Sequence, residues 1–87
     1  MFYVYIIQSK NYGGLYTGYT ENLERRLSEH NSNQVASTKN RGPFRIIYYE
    51  VCFNQEDALD RERYLKSGMG KRYIKNRLKG FLNIDKE

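Results

Sequence analysis

A chain of 87 residues with 39% hydrophobic and 15% aromatic side chains carries enough apolar surface for one small core, which excludes a two-domain protein and a disordered chain. Its 15 basic and 10 acidic side chains leave a net charge of +5, a balance that suits a polyanionic partner. Cys52 is the only cysteine, no Cys/His cluster has zinc spacing and no apolar run has membrane length, so a disulfide scaffold, a zinc module and a membrane span are set aside and a reducing, cytoplasmic setting is expected.

The chain opens on a dense β-branched and aromatic run over 2–8. Phe2, Val4 and Ile6 make one set and Tyr3, Tyr5 and Ile7 the other; two apolar faces predict a central strand. The run lacks a charged leader and a small-residue cleavage site, so it reads as structure and not as a signal peptide. A turn over 9–14, with Asn11, Gly13 and Gly14, leads into a second strand in which Leu15, Thr17 and Tyr19 alternate with Tyr16, Gly18 and Thr20. The pair is expected to form a hairpin. Thr20 reads as the N-cap of a helix, with Glu21 and Glu24 favoured by its dipole. In that helix Leu23, Leu27 and His30 recur at i, i+4 and i+7, and Arg26 stands four residues before His30, so guanidinium and imidazole stack on one side. A strand phenol and these two groups converge on a point that suits an anion such as phosphate.

Residues 31–43, polar and holding the only proline, Pro43, are expected to form a loop mobile enough to touch a ligand. Strand character returns over 44–53, with Phe44, Ile46 and Tyr48 on one side and Ile47, Tyr49 and Val51 on the other. Asn54 caps a helix over 55–67 whose acids come early and bases late. Gly68 and Gly70 are expected to break it before a short basic helix over 71–79, where Tyr73, Ile74, Arg77, Leu78 and Phe81 fall at helical spacing, followed by a frayed tail.

Eight bases lie between Arg61 and Gly80 against one acid, Glu62. The stripe is either a solvated helix face or the electrostatic footprint of a nucleic-acid site. Glu62 is anomalous because it shares a stripe with Ala58, Leu65 and Met69. A carboxylate among core-facing residues needs a partner, either Arg61 or Lys66 at the edge of the stripe or a metal ion held beside phosphate.

These pieces resemble the GIY-YIG endonuclease family. Tyr3-Val4-Tyr5 and, ten residues later, Tyr16-Thr17-Gly18 precede Arg26 and His30 and then Glu62. The stretches Tyr-Thr-Gly-Tyr-Thr, Leu-x-x-Arg-Leu-x-x-His-Asn, Arg-Gly-Pro-Phe and Glu-x-x-Leu-Lys are similar to the small single-domain bacterial members, and the likeness covers about residues 3–78. Tyr3 replaces the family's glycine and Thr17 its isoleucine, both compatible with a strand.

The resemblance implies an α+β domain, within the broad α/β class, over 1–80, with a three-stranded, mainly antiparallel sheet flanked by about three helices and a tail over 81–87. It also implies a Mg²⁺- or Mn²⁺-dependent endonuclease acting on DNA, of the kind that serves repair or recombination. Glu62 would be the one protein ligand of the metal, Arg26 would hold the scissile phosphate, and Tyr5 or Tyr16 would align and deprotonate the attacking water. A free phenol, with a pKa of about 10, needs a nearby cation for that task, and Arg26, the metal and the basic helix are candidates. His30 would bond a tyrosine or the phosphate, or relay a proton. Gly18 is the structural glycine of the motif. Lys66, Lys71, Arg72, Lys75 and Asn76 are the candidate nucleic-acid contacts, Asn76 standing for the family's late asparagine. Each residue also has a plain structural role open to it: tyrosines packing a sheet, Arg26 pairing with Glu29 or Glu21, His30 facing a helix C-terminus. A nucleic-acid-binding module without catalysis, on the same scaffold, is the rival reading. A protein-interaction domain would need an exposed apolar patch, which no segment of the sequence demands.

Overall fold

The β-branched and aromatic run at the start of the chain is the middle of the sheet. In the computed structural model, which describes residues 1–83, β1 (Phe2–Ser9) pairs antiparallel with β2 (Leu15–Thr20) on one side and β3 (Phe44–Cys52) on the other. Four helices accompany this β2-β1-β3 sheet: α1 (Leu23–Asn31), α2 (Gln55–Lys66), α3 (Gly68–Arg77) and a single turn, α4 (Lys79–Leu82). The predicted three-stranded α+β architecture is the observed one.

The two faces of β1 feed two cores, as its alternation requires. Val4 and Ile6 pack with Ala58 and Leu65 of α2 and Ile74 of α3, all buried. Tyr5 and Ile7 pack with Phe44 against Leu23 and Leu27 of α1. Each fully buried side chain of this kind contributes about 1.5–3 kcal/mol relative to exposure.

β3 differs from its expected two-face pattern. Ile6 pairs with Tyr48 but Ile7 with Ile46, so Ile47 is an extra residue, a β-bulge. The insertion resets the alternation. Phe44 and Ile46 face α1, Ile47 and Tyr48 face α2 and α3, and Tyr49 and Val51 return to the α1 side opposite Tyr5 and Tyr3. Phe44, Ile46 and Tyr48 therefore do not share a side, because the bulge falls between the last two.

Other boundaries also move. Thr20 ends β2 and does not cap α1; its hydroxyl accepts the Asn22 N–H at 3.1 Å, and Asn22 caps the helix by accepting the Arg25 N–H at 3.0 Å. The loop over 31–43 is tied down. Asn31 bridges to both backbone groups of Phe44 at 2.7 and 3.2 Å, Ser9 donates to the Arg41 carbonyl at 2.9 Å, and a 3-10 turn at Ala36–Thr38 interrupts it. Asn54 caps α2 as expected, accepting the Asp57 N–H at 3.0 Å.

Ser67 alone separates α2 from α3. Its side chain caps the new helix at the Gly70 N–H, and both glycines lie inside the first turn of α3 and do not break it. Gly70 is required there, since a Cβ would strike the Tyr64 carbonyl and the Leu65 Cα. Met69 leaves the Ala58–Leu65 stripe at this corner and is 64% exposed. Phe81, expected on the apolar side of the last helix, is largely exposed in α4 beneath the Arg45 guanidinium, 5.0 Å from its ring centre. The tail expected over 81–87 thus begins as helix; residues 84–87 lie outside the described residues. Among the described residues no helix is long and apolar enough to cross a membrane.

A polar clamp fixes α2 on the sheet. Arg61 grips Glu50 of β3 with two hydrogen bonds, at 2.8 and 3.0 Å, Tyr48 donates to the same carboxylate at 2.8 Å, and the guanidinium lies 4.9 Å from the centre of the Tyr73 ring. Arg61 holds the Glu50 carboxyl below its ordinary value of 4.5, while burial and the carboxylate push the Tyr48 phenol up to about 12. Glu50→Gln is expected to cost about 2 kcal/mol at neutral pH. A depressed native pKa contributes stability that is full above 4.5 and is lost as the pH falls through the lower native value. Urea titrations should separate wild type and variant at neutral pH and bring them together in strong acid; an unchanged gap would dismiss the clamp.

Candidate functional site

The site grows from the pairing of Tyr5 with Gly18. These residues are direct cross-strand partners, and the phenol of Tyr5 lies over the glycine, so a Cβ on Gly18 would collide with its ring and hydroxyl. Glycine in the middle of a strand is unfavourable for the backbone, and here the gain is space for that phenol.

α1 completes the arrangement. The i, i+4 relation of Arg26 and His30 puts both on the Tyr5 hydroxyl: Arg26 donates its Nε–H to it at 3.3 Å, and His30 Nε2 lies 2.8 Å away. The other ring nitrogen of His30 is 2.7 Å from the Thr38 hydroxyl. His30 is only 4% exposed, wedged between the Tyr5 and Phe44 rings, so it meets tyrosine and not solvent. Arg26 also donates through Nη1 to Glu29 at 2.9 Å, which leaves Nη2 without a partner among the described residues. Its side chain remains about one-third exposed (36%), enough to reach a ligand.

The electrostatics reverse one expectation. Burial outweighs the Arg26 hydrogen bond and charge, and the Tyr5 phenol is raised above its ordinary value, with the Glu62 and Glu29 carboxylates adding in the same direction. The cation beside Tyr5 therefore does not make it acidic. Burial and Arg26 push the His30 imidazole down, against a smaller opposing effect of Glu29. Both rings are neutral near pH 7.

The remaining candidates lie around the β2 edge. A cleft of about 640 Å³ is lined by Tyr16 and Thr17 of β2, by Thr38, and by Lys66, Lys71 and Lys75 across from them. A second hollow of about 320 Å³ contains Tyr19, Arg25, Arg26 and Glu29, so along β2 the two are separated by Gly18. Tyr16 packs edge-on against Phe44, with ring centres 5.5 Å apart. Glu62 pairs with Lys66 at 3.0 Å, while Arg61 turns away to Glu50. Its charge adds a small upward push to the Tyr5 phenol. Lys71 and Lys75, one helical turn apart on α3, face the cleft; Arg72 and Asn76 are exposed and outside its lining. Of the eight-base stripe, Arg61, Arg63 and Lys66 are paired with Glu50, Asp60 and Glu62. Thr38 escaped the sequence analysis, since a threonine in a polar loop carries no signal until the fold brings it to His30.

Comparison with known proteins points the same way as the motifs. A family model of the GIY-YIG catalytic domain matches residues 1–79. The chain is similar to a UPF0213 protein of Clostridium perfringens, 45% identical over 67 residues that span 76% of this chain and 71% of the relative. It is also similar to a UPF0213 protein of Pediococcus acidilactici, 40% identical over 81 residues, 86% of this chain and 82% of the relative. The solution NMR structure of a UPF0213 protein from Bacillus halodurans superposes with a TM-score of 0.51, at 36% identity, covering 85% of this chain and 82% of that one.

The contact between Tyr5 and Gly18 can be measured. Gly18→Ala should destabilise the fold by about 1–3 kcal/mol through overpacking. In a Tyr5→Leu background, where the ring is gone, the same change should be close to neutral. Additive losses in this double-mutant cycle would mean that the glycine serves another purpose.

Proposed function

Because the chain belongs to the GIY-YIG catalytic domain family, whose members form a nuclease superfamily, we propose that it is a divalent-metal-dependent endonuclease that hydrolyses phosphodiester bonds in DNA. The observation that carries this reading is the convergence of Arg26 and His30 on the Tyr5 hydroxyl, over Gly18 and between two hollows of the β2 edge.

Arg26 binds the scissile phosphate through its open Nη2 edge, and its fixed positive charge opposes the negative charge that grows in the transition state. Glu29 and Tyr5 hold the guanidinium in place on the other side. Tyr5 takes a proton from the attacking water as it passes its own to His30 Nε2. This exchange suits two groups that start neutral: the phenol need not ionise in advance, and the buried imidazole becomes charged only during the reaction. Tyr16, at the rim of the larger cleft, orients the water or the phosphate. Lys66, Lys71 and Lys75 follow the sugar-phosphate backbone along that cleft, a type of contact that fixes position without reading sequence. Arg72 and Asn76 would meet only a strand that continues around α3.

On this reading Glu62 would hold a Mg²⁺ or Mn²⁺ ion in the place of the Lys66 ammonium, which now lies 3.0 Å from its Oε2. With one carboxylate as its protein ligand, such an ion would take water and substrate phosphate for the rest of its shell. When bound, such an ion polarises the phosphoryl oxygen and stabilises the leaving oxygen.

Labelled single-stranded, duplex and branched DNA, incubated with Mg²⁺, Mn²⁺ or a chelator, test the reading directly. Cleavage should need the metal, disappear in Glu62→Ala and fall by about 10²-fold in Arg26→Lys, whose ammonium lacks the planar fork. Binding should weaken steeply with salt as phosphate contacts release counterions. Salt-sensitive binding by both wild type and Glu62→Ala without any cutting would favour a non-catalytic nucleic-acid-binding module.

A further inference from the structure

The partners around His30 are all satisfied when its hydrogen bonds run in one direction. Arg26 has no acceptor, so the Tyr5 oxygen accepts from its Nε–H at 3.3 Å. The Tyr5 hydroxyl hydrogen is then free to point at His30 Nε2, 2.8 Å away. At the far end the Val35 carbonyl can only accept, and it lies 3.5 Å from the Thr38 hydroxyl, which donates to it. Thr38 therefore offers His30 Nδ1 a lone pair at 2.7 Å, and the ring proton of a neutral imidazole belongs on Nδ1. Free histidine in water prefers the opposite tautomer, so something must hold this one. Thr38 is built for that role: it is 1% exposed and held by the 3-10 turn at Ala36–Thr38.

We propose that Thr38 is a positioning residue that fixes His30 as the Nδ1–H tautomer and so keeps Nε2 open for the proton of Tyr5. This rests on the nuclease reading for its catalytic meaning, although the tautomer itself does not. In the transfer, the Tyr5 O–H bond breaks and an Nε2–H bond forms. The proton of the attacking water takes the vacated place on the phenol oxygen, and the resulting imidazolium still donates Nδ1–H to Thr38. Were the ring proton on Nε2 instead, the Tyr5 oxygen would accept from both Arg26 and His30, and its own hydroxyl hydrogen would have no acceptor among the described residues. The groups around the imidazole are Tyr5 from β1 and Arg26 and Glu29 from its own helix, and none of them bonds Nδ1.

His30 is the only histidine of the chain, so long-range ¹H–¹⁵N correlation of a ¹⁵N-labelled sample reports its ring without ambiguity. Wild type should show a protonated Nδ1 and a bare Nε2. Thr38→Val keeps the shape of the side chain and removes the hydroxyl; the ring should change to Nε2–H, while the backbone amide spectrum stays that of the folded protein. Thr38→Ser should restore Nδ1–H. On a DNA substrate that the wild type cuts, Thr38→Val should lose about 10²-fold in rate and Thr38→Ser should recover most of it. An Nε2–H ring in wild type, or an unchanged ring in Thr38→Val, overturns the proposal. The expected tautomers in a protein that cuts no DNA would instead overturn the nuclease reading and leave the role of Thr38 in place.

Discussion

One strand buried on both faces constrains everything else. From Val4 to Ile7 no side chain of β1 reaches solvent, yet neighbouring residues belong to different cores: Val4 and Ile6 to the helices α2 and α3, Tyr5 and Ile7 to α1. A displacement of β1 is therefore felt on both sides. The strand places a polar group, the Tyr5 hydroxyl, at the boundary between core and site, where its ring is packed and its oxygen is bonded. The small size of the domain sharpens this arrangement, since 87 residues have no spare layer in which to separate stability from chemistry.

Charge is used in two different ways. On the α2 side, Arg61, Glu50 and Tyr48 neutralise and satisfy one another, and the cluster locks helix to sheet. On the α1 side, Arg26 is only partly neutralised by Glu29 and keeps an open edge. Arg61 is committed to β3, while the next residue along α2, Glu62, pairs with Lys66 one turn on in the same helix. Burial holds Tyr5 neutral despite the adjacent guanidinium, and burial and that guanidinium together hold His30 neutral.

Local patterns were legible in the sequence and long-range register was not. Alternation in 2–8 and 15–20, the i, i+4 pair Arg26 and His30, and the Asn54 cap all depend on neighbours a few residues away, and each appears in the structure as expected. The pairing of Arg26 with His30 was readable because the helix is regular, but the phenol they meet comes from Tyr5 of β1 and not from the strand that leads into the helix. The bulge at Ile47 left no mark in composition, since Ile-Ile-Tyr-Tyr reads equally well in either register until it is paired with β1. Thr38 and the partner of Arg61 were hidden for the same reason: a contact across 8 or 11 residues through a loop or a strand has no period. The sign of the Tyr5 shift depends on depth, which a neighbouring arginine in the sequence does not reveal.

The bulge also sets how β3 tolerates change in length. A single extra residue allows one strand to deliver Phe44 and Ile46 to one core and Tyr48 to the other, then to return Tyr49 to the side of Tyr5. It works like a crank in a shaft, with the two ends of β3 set half a turn apart. Straightening the crank by drawing Ile47 into the ladder opposite Ile6 would pair Tyr48 with Tyr5 and Glu50 with Tyr3, and so rotate one arm against the other. Glu50 would then leave the face of Arg61 for that of Tyr3 and Tyr5, and a carboxylate that stabilises the fold would become a negative charge on the face of Arg26. A change of register in β3 is for this reason a change of chemistry, whereas loss of the bulged residue itself would leave each pair with β1 in place.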